Sequence, residues 1–271
     1  MIRISDLGHI KELRHARTRP CRRDRYEVVI LTNSANGEKV RVMWKTDYYG
    51  IHEQRYRKLR ETGAPGWGSD ENERITQKKL STIGDIFQRE SIDSSRKLLE
   101  LGCGDGSVSL SLAQRGFDVC GIDISSTAIL WAQEKARTQG LKAEFRTGSV
   151  VDLPYSDSDF DAVIDVACSH CIIGEDRKLL FAEAFRVLKC DGLFLSMVLC
   201  GDPAEEETIR DFDPVSRCIV RDGVAGRYFG RPEDIVQEMA SAGFLSVSRE
   251  VRRNPAHCGQ EYLRAIDRKP E

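Results

Sequence analysis

The segment Glu100-Leu101-Gly102-Cys103-Gly104-Asp105-Gly106 most constrains the fold, because three alternating glycines join an apolar run to an amphipathic one. Lys97–Leu101 reads as a strand, and residues 107–115, ended by Gly116, read as a helix. Glycines at a strand-to-helix junction let the backbone turn tightly and approach a ligand where a Cβ would intrude. In a parallel sheet that turn lies at the carboxyl ends of the strands, where ligands bind. Asp123 closes the next apolar run, residues 117–122. It falls about twenty residues on, the spacing at which a carboxylate grips ribose hydroxyls.

Strand-like and helix-like stretches alternate through the rest of the chain. A helix capped by Ser125 or Ser126 runs to about Gln139, and short strands follow at residues 143–146 and at Phe160–Val166. The series continues with a helix at 176–188, the turn Cys190-Asp191-Gly192 and a strand at 193–198. A helix at 232–242 and strands at 244–251 and 261–266 complete it. This alternation predicts βαβ units and a parallel sheet. The last two strands lack an intervening helix, so one of them is expected to run antiparallel. The predicted class is α/β: a Rossmann-like, seven-stranded, mostly parallel sheet with helices on both faces, plus an N-terminal hairpin and helical extension.

Residues 1–47 are expected to form a basic extension with a β-hairpin around Asn36-Gly37. Residues 48–271 form the main domain, with 48–90 as a helical lid and 96–271 as the core. The arginine-rich stretch 11–25 reads as a solvated arm, with a tail for an acidic partner as the sharper alternative. The hairpin is also a candidate for pairing between subunits in a homodimer.

Charge narrows the partners. The chain carries 41 Lys and Arg against 43 Asp and Glu, a net charge of −2, so it lacks the positive field that nucleic acid or a membrane surface demands. No apolar run approaches the ~20 residues of a membrane span. Nine scattered cysteines, an odd number, read as reduced thiols in a cytoplasmic protein rather than as a disulfide framework.

Two nucleotide ligands suit the glycine turn. A dinucleotide sets its diphosphate on the helix N-terminus and goes with the spacing G-x-G-x-x-G. Here the spacing is G-x-G-x-G, with Glu100 before it and Asp105 within it. Carboxylates repel a diphosphate and suit a ligand bearing a sulfonium and an ammonium, which favours S-adenosylmethionine.

From about Lys97 to Ile266 the chain resembles the class I S-adenosylmethionine-dependent methyltransferases, particularly the branch acting on small molecules. Residues 98–106 look like their first motif, whose strand-end acid and glycines meet the methionine part of the cofactor. Residues 121–125 look like the second, with Asp123 on the ribose. Residues 148–154 look like the adenine-side segment, although Ser149 stands where those proteins usually carry an acid. The resemblance thus implies a cofactor site of Glu100, Gly102, Cys103, Gly104, Gly106, Asp123, Ile124, Ser149, Val150, Asp165 and Val166. It also implies transfer of a methyl group to an O, N or S nucleophile of a small molecule. A protein or RNA methyltransferase and a non-catalytic cofactor-binding module are the alternatives.

Methyl transfer is an in-line displacement in which positioning supplies much of the rate, and a base is needed only when the acceptor loses a proton. His170, just past the fourth strand of the core, is the candidate base; a packing role in the pocket wall is the other reading. Cys168 and Cys171 form a C-x-x-C that reads as a redox pair, as half of a metal site with His257 and Cys258, or as small apolar side chains. The last is preferred, and no metal is expected. Tyr49, Tyr56 and Trp67, with His170 and Cys171, are the expected acceptor and lid residues. The long connection at 201–228 is a second candidate for specificity.

Overall fold

The computed structural model describes residues 26–33, 39–67, 70–254 and 258–271, with side chains described outside 26–44 and 70–75. The arginine-rich stretch and His257 lie outside the described residues.

The chain opens with the hairpin β1 (Tyr26–Asn33) and β2 (Lys39–Thr46), then α1 (Tyr48–Glu61) and α2 (Asp70–Arg89). The core follows as β3 (Lys97–Leu101), α3 (Ser107–Gln114), β4 (Asp118–Asp123), α4 (Ser126–Thr138), β5 (Ala143–Thr147), β6 (Phe160–Val166), α5 (Asp176–Val187) and β7 (Leu188–Leu199). Then come α6 (Glu206–Arg210), β8 (Phe212–Asp213), β9 (Cys218–Arg221), β10 (Val224–Tyr228), α7 (Pro232–Ser241), β11 (Leu245–Asn254) and β12 (Gln260–Arg268).

The main sheet has seven strands in the order β11-β12-β7-β6-β3-β4-β5. Its pairs from β7 to β5 are parallel, while β12 runs antiparallel to both neighbours, so one of the last two strands is reversed as expected. Leu98, Leu99 and Leu101 of β3 and Ala162, Val163 and Ile164 of β6 have no exposed surface. Strands apolar on both faces belong at the centre of a sheet covered by helices on both sides. Side chains alternate between those faces. Leu98, Ala162 and Leu195 pack under Leu80, Ile83 and Phe87 of α2 and Leu112 of α3. Leu99, Val163 and Phe194 pack on the other side with Leu180 and Phe181 of α5 and Ile235 of α7. This α/β sandwich holds the carboxyl ends of β3, β4 and β6 beside one another.

Two local differences from the sequence expectations have physical causes, and one alternative is resolved. Residues 201–228 contain a short helix and three strands rather than a plain connection. Strands of two, four and five residues are too short for alternation to register. These strands join the hairpin in a second sheet, β1-β2-β10-β9-β8, in which Lys45 of β2 pairs in parallel with Val224 of β10. The β2 edge away from β1 is therefore paired within the chain at Lys45. Cys190-Asp191-Gly192 does not turn the chain. It is an irregularity inside β7, with Asp191 at φ +58°, bonded through Asp191 N and Gly192 O to Lys269. Between the two serines at the start of α4, Ser125 is the cap, its Oγ accepting from Ala128 N at 3.1 Å.

Among the described residues, no helix is long and apolar enough to cross a membrane.

Candidate functional site

A cavity of about 340 Å³ opens at the carboxyl ends of β3, β4 and β6, within the range of small-molecule sites. Its floor is the glycine turn. Gly102 and Gly104 sit at φ +61° and +56°. A Cβ on Gly102 would lie 2.7 Å from Cys168 Sγ, and one on Gly104 would lie 2.2 Å from Tyr56 Oη. Both positions thus need glycine for conformation and for space.

Asp123 holds the turn from the side. Its Oδ2 accepts from Gly104 N at 2.9 Å and its Oδ1 from Ser125 N at 2.8 Å. Burial raises its pKa, and these two donors partly offset that. The other acids carry less free charge than a count suggests. Burial pushes Glu100 up to about 8, against the bonds from Ser109 N and Oγ at 2.9 and 2.5 Å. Asp105 is paired with Lys135 Nζ at 2.5 Å. The repulsion of a diphosphate that the sequence suggested therefore rests mainly on Asp123. Burial also pushes Lys79, which lines the same end of the cavity, below its ordinary value.

The roof comes from α1, capped by Asp47 Oδ1 accepting from Gly50 N at 2.8 Å. Tyr48, His52 and Tyr56 lie four residues apart and share the face of α1 that looks into the cavity. Tyr56 packs against Trp67 with ring centroids 4.8 Å apart, and His52 stacks on the same indole at 6.2 Å. Gly226 and Arg227 of β10 close another side.

The wall facing the glycine turn is a single 3₁₀ turn, Ser169–Cys171, entered through Ala167 at φ +71°. A non-glycine residue there is strained and persists only where its surroundings over-determine it. Here Asp165 Oδ1 accepts from Cys168 N and Ser169 N at 2.9 and 3.0 Å, while its Oδ2 accepts from Ser196 Oγ at 3.0 Å. Arg177 Nη1 donates to Ser169 O and Ile172 O at 2.5 and 3.3 Å. The guanidinium is itself held by Glu238 at 2.6 Å and lies 4.3 Å from the Tyr228 ring centroid. Tyr48 Oη accepts from Ile173 N at 3.0 Å. His170 and Cys171 are in this way fixed from three elements.

Of the expected residues, Glu100, Gly102, Cys103, Gly104, Asp123, Ile124, Ser149, Val150, Val166, Tyr56, Trp67, His170 and Cys171 all line the cavity. Three do not. Asp165 is fully buried and spends one oxygen on the turn just described and the other on Ser196. Gly106 is the N-cap of α3 at φ +80°, and its missing Cβ lets the loop close on Ala132 and Phe145. Tyr49 is one residue out of phase with the inward face of α1, where Tyr48 takes the place expected of it. His52 and Lys79 were missed; the i, i+4 relation to Tyr48 and Tyr56 is the signal that points to His52. Cys258, the proposed partner of the Cys168–Cys171 pair, is exposed.

Residues 98–192 fit the model of the methyltransferase domain. The chain is 35% identical over 114 residues to an uncharacterised protein of Haemophilus influenzae, covering 41% of this chain and 45% of that one. It is 36% identical over 102 residues to a fatty-acid O-methyltransferase of Mycolicibacterium smegmatis, covering 37% of this chain and 36% of that one. The chain thus spans less than half the length of these curated relatives. The crystal structure of a SAM-dependent methyltransferase from Methanosarcina mazei superposes with a TM-score of 0.60 at 25% identity, over 68% of this chain and 97% of that one. Residues 98–192 are a methyltransferase domain of the class I, S-adenosylmethionine-dependent kind.

Proposed function

We propose that this chain transfers a methyl group from S-adenosylmethionine to an oxygen, nitrogen or sulfur atom of a small molecule. One observation carries this reading. The glycine turn with Asp123 and two imidazoles, His52 and His170, face each other across one cavity. When bound, the cofactor supplies an electrophilic methyl on a sulfonium.

The residues present fit that cofactor. Gly102, Gly104 and Asp123 form the floor of the cavity, and Ile124, Ser149 and Val150 extend it along the ends of β4 and β5. Glu100 lies at its base and ionises readily when a cation arrives beside it, since its proton is held only to about pH 8. Tyr56 of α1 and Trp67 of the connection that follows it cover the cavity floor, excluding water and presenting aromatic faces that favour a cation. His170 is 6% exposed, and its Nδ1 has no hydrogen-bond partner. A buried ring nitrogen left free on a cavity wall is placed to take a proton from an acceptor. A cavity of about 340 Å³ suits a small acceptor, in keeping with the fatty-acid substrate in the name of the M. smegmatis relative.

Two measurements test this. Calorimetric titration with S-adenosylhomocysteine should show a single site, and a screen with methyl-labelled cofactor against small acceptors should give turnover. Binding without transfer to any acceptor would reduce the chain to a cofactor-binding module, and absence of binding would remove the reading altogether.

A further inference from the structure

Beyond methyl transfer, the cavity holds a group that such a displacement does not require. Cys171 sits half-buried in its wall, with His52 of α1 lining the same cavity and His170 beside it on the same turn. His52 Nδ1 donates to Tyr48 O at 2.8 Å, which leaves Nε2 for the sulfur. The turn itself is pinned by Asp165, Arg177 and Tyr48, so the three groups meet in a preorganised arrangement.

The electrostatics around the sulfur are mixed. Two imidazoles face it, Asp123 lies nearby, Cys168 sits on the same turn, and Arg227 lines the cavity from β10. Burial pushes Cys171 up, but His170 and His52 outweigh it and hold the thiol well below its ordinary value. In return, although burial disfavours its charge, the Cys171 sulfur holds His52 up to about 9. The neighbouring thiols behave oppositely: burial pushes Cys103 and Cys168 well up, leaving them as inert apolar groups. A thiolate beside imidazolium is the reactive form of cysteine.

We propose that Cys171, gripped between His52 and His170, is a nucleophilic cysteine that captures α,β-unsaturated carbonyl compounds entering the cavity. The sulfur lone pair forms an S–C bond at the β-carbon, and the alkene π pair moves through the α-carbon to the carbonyl oxygen as an enolate. The His52 imidazolium then gives its proton to the α-carbon, and the product is a saturated thioether. The addition is redox-neutral and needs no further reactant. In its Nδ1-protonated form the His170 ring, whose Nδ1 has no partner, is the donor available to the enolate oxygen. Such an adduct occupies the acceptor space and stops methyl transfer.

The test uses N-ethylmaleimide at limiting concentration on the full chain, with sites assigned by peptide mass mapping between pH 5.5 and 8.5. Cys190 and Cys258, both exposed, serve as internal references. An ordinary thiol has a pKa near 8.5 and is well under about 1% thiolate at pH 6. Cys171 should therefore react at least about tenfold faster than either reference at pH 6, even after the lower nucleophilicity of a low-pKa sulfur. Its pH profile should be flat down to that point. Cys171→Ser should abolish the fast adduct, and His52→Gln should move the profile of Cys171 toward higher pH. A Cys171 rate equal to or below that of Cys190, or a midpoint near that of an ordinary thiol, would overturn the proposal. Titration with S-adenosylhomocysteine on the same sample reads the cofactor site separately, so failure of one reading is distinguishable from failure of the other.

Discussion

Glu53 of α1 reaches Thr127 at the start of α4, its Oε1 accepting from Thr127 Oγ1 at 2.6 Å and its Oε2 from Thr127 N at 3.2 Å. Ser125 Oγ adds a bond of 2.8 Å to the same carboxylate, which lies at the positive end of α4. The covering helix is thus fastened beside the strand end that carries Asp123. Burial opposes the charge on Glu53, but the donors from Thr127 and Ser125 overcome it and hold the pKa down to about 2. Since the folded value is depressed, this stabilisation is complete above the unfolded value of 4.5 and is lost as pH falls through about 2. We expect Glu53→Ala to cost about 1–3 kcal/mol and to raise proteolytic cutting within residues 48–67. Unchanged denaturation midpoints and digestion patterns would show that α1 does not depend on this contact.

Gly104 and Tyr56 make a paired prediction. Gly104→Ala should lower affinity for S-adenosylhomocysteine and cost about 1–2 kcal/mol from the left-handed backbone alone, with the contact to Tyr56 Oη added. Removing that hydroxyl in Gly104→Ala/Tyr56→Phe should recover part of both losses. A double variant no better than the single one, by melting and calorimetry, would show that the contact is not limiting.

Glu100 titrates in the opposite sense to Glu53. Its folded pKa, about 8, lies above the unfolded 4.5, so its contribution is complete below 4.5 and is lost as pH rises through 8. Glu100→Gln keeps the shape and discards the charge. The melting temperature of the wild type should fall from pH 5 to pH 8, and that of the variant should fall less. Parallel curves would place the titration elsewhere.

For His170→Ala, turnover should drop by at least about 100-fold with any acceptor that must lose a proton, while affinity for S-adenosylhomocysteine changes little. A rate within a few-fold of wild type would leave the residue a wall of the cavity and nothing more.

Arg177→Met should destabilise by about 1–3 kcal/mol, because it leaves two buried backbone carbonyls without their donor and half-buried Glu238 without its partner. Arg177→Lys should not restore the loss, since a point charge cannot serve all three. Denaturant titration decides this.

The central sheet was legible because β3, β4 and β6 are short apolar runs closed by turn residues, a pattern that survives without any tertiary knowledge. Gly102, Gly104 and Asp123 were legible for the same reason: their roles are set by backbone geometry within the chain segment that carries them. The second sheet was not, because β10 becomes a strand only by pairing with β2, some 180 residues earlier in the chain. Asp165 was placed near the right chemistry but with the wrong partners. Nothing local says that its oxygens meet Ser196 and the backbone of the following turn. The choice of Tyr49 over Tyr48 was an error of helical phase, and the same correction uncovers His52.

The division of the cavity between two sheets has a consequence for how its preference can change. Gly226 and Arg227 arrive on a strand that belongs to the smaller sheet, at a bulge where the register slips between Ala225 and Arg227. Residues inserted or exchanged there reshape that side of the cavity while the ends of β3 and β4 stay where they are. Selection, or a protein engineer, can therefore retune what enters this enzyme-like chamber without disturbing the machinery at its base.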